Sequence, residues 1–313
     1  MNDVYIGIDL GGTRIKAGLV KDGVILDKQM ISSQSATGLA SSLPAVRSLI
    51  DGMLHTHADA GQLKGIAIGF AGLVDPVRRK ILSTNDKYND ALDLDLDGWI
   101  RSNWNVGWYI DNDARLAAVG EWRYGAGRGV DDLVVMTIGT GIGTAVISGG
   151  QVLRGKHFQA GCLGGHISIQ YKGRLCNCGN RGCVETYAAT WSLQQRIAAD
   201  PSYPGSSLSH AAVIDFATLF AAAAAGDSLA RTYLDDCMEA WGTAVVNLIH
   251  AYDPEIVVIG GGVMSSADLI LPGIREYVHK HAWTPWGKVD IRASSLLNDA
   301  GIYGAVYALQ HSL

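Results

Sequence analysis

The sequence predicts an α/β protein, and three observations carry that reading. Strand-like and helix-like segments alternate along the chain. A glycine hairpin after the first strand, Asp9-Leu10-Gly11-Gly12-Thr13, recurs about 130 residues later as Gly139–Gly143, a weak internal repeat that suggests two related halves. A buried-type strand, Ile256–Ile259, runs directly into Gly260-Gly261-Gly262. With 313 residues, 48% of them hydrophobic, the chain can fill two moderate cores, so two domains are expected.

The elements follow in order. Val4–Ile8 and Ile15–Val20 read as strands joined by the glycine turn, which excludes the dinucleotide fingerprint because that motif opens a helix. A helix is expected over Leu39–His57, a strand at Ile66–Phe70, a polar loop at Ser83–Asn89, a helix around Leu96–Trp104 and a strand at Trp108–Ile110. A helix then spans Ala114–Tyr124, and strands Leu133–Ile138 and Thr144–Ile147 flank the second glycine hairpin. Further on, helices are expected at Glu185–Ala198, Ile214–Ala225 and Ser228–Ala251, a helix after Gly260–Val263, a short strand at Val289–Arg292 and a last helix at Ile302–His311.

Composition narrows the function classes. The formal charge is −5, so no general basic field attracts nucleic acid or an anionic membrane. No apolar run reaches the roughly 18–20 residues of a membrane span, and the amino terminus lacks a basic segment followed by a long apolar one. The expected location is the cytoplasm. The five cysteines suit a reducing compartment, where clustered Cys and His more often mean metal than disulfides.

His166, Cys176, Cys178 and Cys183 crowd into eighteen residues, a thiolate and imidazole set that suits a closed tetrahedral Zn²⁺ site of structural type. Gly179 and Gly182 would let the loop between the second and third thiolates curl. The same spacing also fits free buried thiols or a Cys176–Cys178 redox pair, and Cys162 and Cys237 read as small buried apolar residues.

Asp9 would stand at a strand end beside amides of Gly11, Gly12 and Thr13, able to position hydrated Mg²⁺ next to phosphate; the alternative is a hairpin turn with an Asx-type bond. Gly139, Thr140 and Gly141 repeat the offer, and Gly260–Gly262 could admit a flat nucleoside, which together suggest an ATP cleft between two lobes. Gly150–Lys156 has phosphate-loop spacing but ends in His157 and opens no evident helix, so it is read as chance. Asp113, in Asp111-Asn112-Asp113-Ala114-Arg115, is either a helix-capping carboxylate or a general base acting on a hydroxyl, with Asn112 bonding a neighbouring hydroxyl. Glu185 and His166 could bond a polyol; for Glu185 the alternative is a first-turn acid favoured by the helix dipole.

These segments together resemble the ROK family of sugar kinases and related repressors. The resemblance runs through IGIDLGGTRIKAGLV, IGFAGLVD, DNDARLAAVGEW, TIGTGIGTAVI, the Cys-rich segment through GCVE, DPEIVVIGGGV and GIYGAVYAL. It implies the two-lobed actin/hexokinase-like (ribonuclease H-like) ATPase fold, with residues 1–113 plus 302–313 as the smaller lobe and 114–301 as the larger lobe carrying the zinc loop. It implies phosphorylation of a sugar, hexose or N-acyl hexosamine, usually on its primary hydroxyl, with ATP, Mg²⁺ and structural Zn²⁺. Asp113 would be the base, Asn85, Asn112, His166 and Glu185 sugar contacts, and Asp9, Gly11, Gly12, Thr13, Lys16, Gly139, Thr140, Gly141, Gly261 and Gly262 nucleotide contacts. A homodimer is implied, with no nucleic-acid or membrane partner.

Two departures bear on substrate. Where the family pattern reads Gly-Glu-apolar-Gly-His, this chain reads Gly161-Cys162-Leu163-Gly164-Gly165-His166, with no acid and an extra glycine. Ala71 stands where proline is usual. Losing one buried hydrogen-bond partner for a sugar hydroxyl costs roughly 1–3 kcal/mol, which points away from glucose. The competing functions are a sugar-responsive repressor, disfavoured because the first strand begins at Val4 and leaves no helix-turn-helix, and a sugar-binding protein without catalysis.

Overall fold

The computed structural model describes residues 3–84 and 87–313, which divide into two compact units. The first comprises 1–129, 151–160 and 298–313; the second, 130–150 and 161–297. The division falls after residue 113 because the helix following it belongs to the first unit's packing, and 298–301 return there with the last helix.

In the first unit, β1 (Asp3–Leu10), β2 (Arg14–Lys21) and β3 (Val24–Ser32) form an antiparallel meander. The chain continues through α1 (Leu43–Thr56), β4 (Gln62–Phe70), the small hairpin β5 (Gly72–Asp75) and β6 (Lys80–Thr84), α2 (Leu96–Asn103), β7 (Gly107–Asn112) and α3 (Asp113–Tyr124). The sheet order is β3-β2-β1-β4-β7, with β4 parallel to both β1 and β7. One face of this sheet buries Ile6, Ile8, Ile15, Ile66 and Ile110 against Ile50 and Met53 of α1.

The second unit repeats the pattern. It contains β8 (Leu133–Ile138), β9 (Ile142–Ser148), α4 (Glu185–Ala188), α5 (Thr190–Ala198), α6 (Phe216–Ala224), α7 (Ser228–Tyr252), β11 (Ile256–Gly260), α8 (Ala267–His281) and β12 (Asp290–Ala293), while the two-residue strand β10 (Gln151–Val152) falls in the 151–160 segment of the first unit. Strands β9-β8-β11-β12 lie side by side; β8 and β9 are antiparallel, while β11 is parallel to β8 and β12. Each unit thus sets a glycine hairpin on an antiparallel pair and extends it with parallel strands.

The last helix, α9 (Ala300–His311), packs in the first unit against α3 and β1. Glycines permit that approach: a Cβ on Gly304 would lie 1.7 Å from the Leu116 carbonyl oxygen, and one on Gly120 would lie 2.1 Å from that of Ala300. Ile302 and Val306 then meet Val20.

Several boundaries differ from expectation for local reasons. The first helix starts at Leu43 and not Leu39, because the Asp90 carboxylate accepts the amides of Leu39 (2.6 Å) and Ala40 (2.9 Å). The single helix expected over Glu185–Ala198 is broken at Ala189, whose backbone is extended. After Gly261 the chain makes a 3₁₀ segment, Gly262–Ser266, before α8. The strands β3, β5 and β6 carry no clear apolar alternation, and sequence reasoning missed them. Gly150–Lys156 opens no helix, as expected.

Candidate active site

The first unit supplies two carboxylates and a glycine turn. Asp9 lies opposite Lys16 across the β1–β2 hairpin, and the Lys16 Nζ donates to Asp9 Oδ2 (3.3 Å) and to Asn298 Oδ1 (3.3 Å). A Cβ on Gly11 would lie 2.8 Å from the Arg14 carbonyl oxygen, so a side chain there would spread the turn. The turn is braced from behind: Tyr88 Oη donates to the Gly11 carbonyl (3.0 Å), and Ser35 Oγ to that of Gly12 (2.6 Å). Thr13 is exposed beside them.

The capping role weighed for Asp113 belongs to Asn112, whose Oδ1 accepts the Arg115 amide (3.1 Å). Asn112 Nδ2 donates to the Gly72 carbonyl (3.0 Å) and to Asp113 Oδ1 (3.0 Å), which also accepts the Ala114 amide (2.8 Å). Asp113 itself is the first residue of α3. Burial, and next the negative charge of Asp9, push its carboxyl up to about 6, partly offset by the Ala114 amide and the charge of Lys87. At pH 7 such a group is still about nine-tenths ionised, and far more basic than an ordinary aspartate.

Behind this pair, Asp111 is fully buried and held on both oxygens. It accepts from Arg115 Nη1 (3.3 Å), Arg154 Nη2 (2.9 Å), Tyr109 Oη (3.1 Å) and the Asn112 amide (2.7 Å). A buried carboxylate tolerates desolvation only when paired and hydrogen-bonded in this way.

In the second unit the turn at Gly139–Gly141 is fastened to the break between α4 and α5. The Gly139 carbonyl accepts from the Thr190 amide (3.1 Å) and Thr190 Oγ1 (2.9 Å). Glu185 is buried, and its Oε2 accepts the Ile142 amide (2.8 Å) while Oε1 accepts Trp191 Nε1 (3.0 Å). One lone pair on each carboxylate oxygen is left over. Gly261, at φ +89°, rests on the end of β8, where a Cβ would lie 2.2 Å from the Ile138 carbonyl oxygen; Gly262 next to it faces open space. The structure therefore brings Gly139, Thr140, Gly141, Gly261 and Gly262 together at one end of the second sheet.

The side chains of His166, Cys176, Cys178 and Cys183 present one ligand atom each, all within 4.8 Å of one another. Cys178 Sγ lies 3.7 Å from Cys183 Sγ, and Cys176 Sγ lies 3.6 Å from His166 Nδ1. A tetrahedral Zn²⁺ with ordinary bond lengths would separate two sulfurs by about 3.8 Å and a sulfur and nitrogen by about 3.6 Å, so the donor set could hold zinc. Gly179 (φ +86°) and Gly182 (φ +74°) both take the left-handed backbone that the tight loop requires. Cys162 and Cys237 are buried away from the cluster. Upstream, Gly164 and Gly165 lie flat on β9, where a Cβ would meet Thr144 Cγ2 at 2.5 Å and the Ile142 carbonyl at 2.1 Å respectively, while Leu163 is 38% exposed.

Asn85 lies outside the described residues. Sequence reasoning missed Lys87, Tyr88, Ser35, Thr190 and Trp191, none of which sits in a motif; only contacts between distant segments single them out.

Two units of matching design, each ending a strand in a glycine turn, one with a basic carboxylate and the other with a metal-ligand cluster, define a phosphate-handling α/β protein. The sequence profile of the ROK family matches residues 5–312, and the chain belongs to that family. It is 31% identical over 315 residues to the glucokinase of Thermotoga maritima, covering 98% of each chain. Its fold matches a ROK family glucokinase from Streptomyces griseus, solved with glucose and AMPPNP, at a TM-score of 0.82 and 30% identity over 98% of this chain and 99% of that one. A ROK family transcriptional regulator, a homolog of the E. coli MLC protein, also matches at a TM-score of 0.82, with 26% identity over 99% of this chain and 78% of that one. Among the described residues no helix is long and apolar enough to cross a membrane.

Proposed function

We propose that this chain is an ATP-dependent sugar kinase that works in the cytoplasm, phosphorylating the primary hydroxyl of a hexose or N-acyl hexosamine. The observation that carries this reading is the Asp113 carboxylate, raised to about 6 at the first turn of α3 and fixed by Asn112. Asp113 takes the proton of the sugar hydroxyl as its oxygen attacks the γ-phosphorus of ATP; the bond to the β-phosphate oxygen breaks and ADP leaves. Asn112 uses both Nδ2 hydrogens internally and keeps one lone pair on Oδ1 for a sugar hydroxyl. The two remaining lone pairs of Glu185 serve the same purpose.

The turn at Gly11, Gly12 and Thr13, with Lys16, and the turn at Gly139, Thr140 and Gly141 bind phosphate oxygens, while Gly261 and Gly262 pass the nucleoside. Mg²⁺, when bound, neutralises charge on the β- and γ-phosphates, and Asp9 is the residue that would orient its waters. His166, Cys176, Cys178 and Cys183 would hold a Zn²⁺ that would fix the loop, and the His166 ring nitrogen turned away from Cys176 would be left to donate to sugar. Asn85 is proposed as a further sugar contact. The working unit is a homodimer without a nucleic-acid partner.

The test is ADP release from ATP and Mg²⁺ over a panel of hexoses and N-acyl hexosamines. Turnover of at least one sugar, lost in Asp113→Asn with sugar binding retained, is expected. Tight sugar binding with no turnover anywhere in the panel would instead support the regulator reading, which the likeness to the transcriptional regulator favours.

A further inference from the structure

Lys87 lies within the polar loop Ser83–Asn89 and belongs to no motif. Its side chain nevertheless lies on the glycine turn of the first unit. A Cβ on Gly12 would fall 2.5 Å from Lys87 Cε and 2.8 Å from its Nζ, so the end of the lysine lies directly against the turn. The placement is built into the backbone. Tyr88, the next residue, is fully buried in a left-handed conformation (φ +55°); its amide donates to the Ser35 carbonyl (2.8 Å), and its hydroxyl donates to Gly11. Ser35 in turn bonds Gly12 through its own hydroxyl. The turn and the lysine are thereby stapled together from both sides of Tyr88.

Lys87 is close enough to Asp113 for its charge to act on that carboxylate, and Asp113 also feels Asp9. Asp9 already has a cation in Lys16. Among the described residues Lys87 has no ion pair or hydrogen bond that would occupy its ammonium. A half-buried cation held between a phosphate-type turn and a general base has one chemical use that neither neighbour covers. We propose that Lys87 is a catalytic residue that contacts the transferred phosphoryl group and stabilises the charge on its oxygens as they pass from nucleotide to sugar. This rests on the kinase reading of the same site. Lysine suits the role because a compact ammonium can follow a moving phosphoryl group, whereas a backbone amide cannot.

The experiment compares wild type with Lys87→Met, Lys87→Gln and Lys87→Arg on a sugar that the panel identifies. Loss of an electrostatic contact made in the transition state lowers kcat by about 10²-fold while the sugar KM stays within about threefold, and Lys87→Arg recovers about tenfold of the loss. The acid limb of the kcat profile moves to higher pH in Lys87→Met, because a charge favouring ionised Asp113 is gone. A kcat within about threefold of wild type in Lys87→Met overturns the proposal, as does an equal loss in all three variants accompanied by a lowered melting temperature. If wild type turns over no sugar at all, the kinase reading fails and the lysine is still decided by titrating inorganic pyrophosphate with Mg²⁺. A roughly tenfold weaker affinity in Lys87→Met then supports a phosphate-binding role, and equal affinity overturns it.

Discussion

Replacing Asp113 by asparagine is expected to remove activity and to stabilise the fold at the same time. The structure sets the size of the second effect. The Asp113 carboxyl titrates near 6 in the folded chain against 3.8 for an ordinary aspartate, so between those values the folded state binds more protons than the unfolded one. Stability therefore falls as pH rises through the window from about 3.8 to 6, and the full penalty stands at neutral pH. A shift of about two units is worth about 3 kcal/mol at pH 7, shrinking to roughly half of that at pH 5. The amide of the Asp113→Asn variant would keep an oxygen to accept from Ala114 and Asn112, so the substitution would remove the charge with little rearrangement. Urea unfolding at pH 7 and pH 5 measures the gain, and coupled ADP release measures a loss of about 10²-fold or more in kcat. A variant no more stable than wild type at pH 7, or equally stabilised at both pH values, would refute the claim that burial and Asp9 strain this carboxylate.

Three further outcomes are expected. Gly182→Ala would put a Cβ 1.7 Å from the Gln170 carbonyl oxygen at φ +74°, and should lower the melting temperature and zinc content together; Gly179→Ala has open space and should cost only about 1 kcal/mol by thermal or urea denaturation. Metal analysis should find about one zinc per chain, and a strong chelator should lower the melting temperature; a metal-free protein of equal stability would remove zinc from the account. Glu185→Ala would release the Ile142 amide and Trp191 from the glycine turn, and ATP KM should rise by about 10-fold or more in steady-state assays.

Much of this site could be read from single segments. The hairpin at Gly11 and Gly12, its repeat at Gly139–Gly143, the helix opening at Asp113 and the curled loop at Gly179 and Gly182 are each written in fewer than about twenty consecutive residues, where local backbone geometry and ligand chemistry leave little choice. The break between α4 and α5 was not legible. Residues 185–198 carry a continuous helical pattern, and only the Gly139 carbonyl, reached from Thr190 51 residues later, explains why the helix stops and restarts. The Asn112 cap likewise displaced the role weighed for Asp113, because two adjacent residues of similar capping propensity are separated only by the backbone angles each adopts.

The sequence by itself determined the α/β class, the two glycine turns, the four clustered metal-type ligands and the missing acid before His166, since each depends on residue type and short-range spacing. The tertiary structure alone decided which charges meet. Asp9 raises Asp113 across about a hundred residues of chain, Lys87 settles on Gly12, and Glu185 spends a bond from each oxygen on the second turn. Those effects fall off over a few ångströms of space and are indifferent to distance along the chain, which is why no reading of neighbouring residues could supply them.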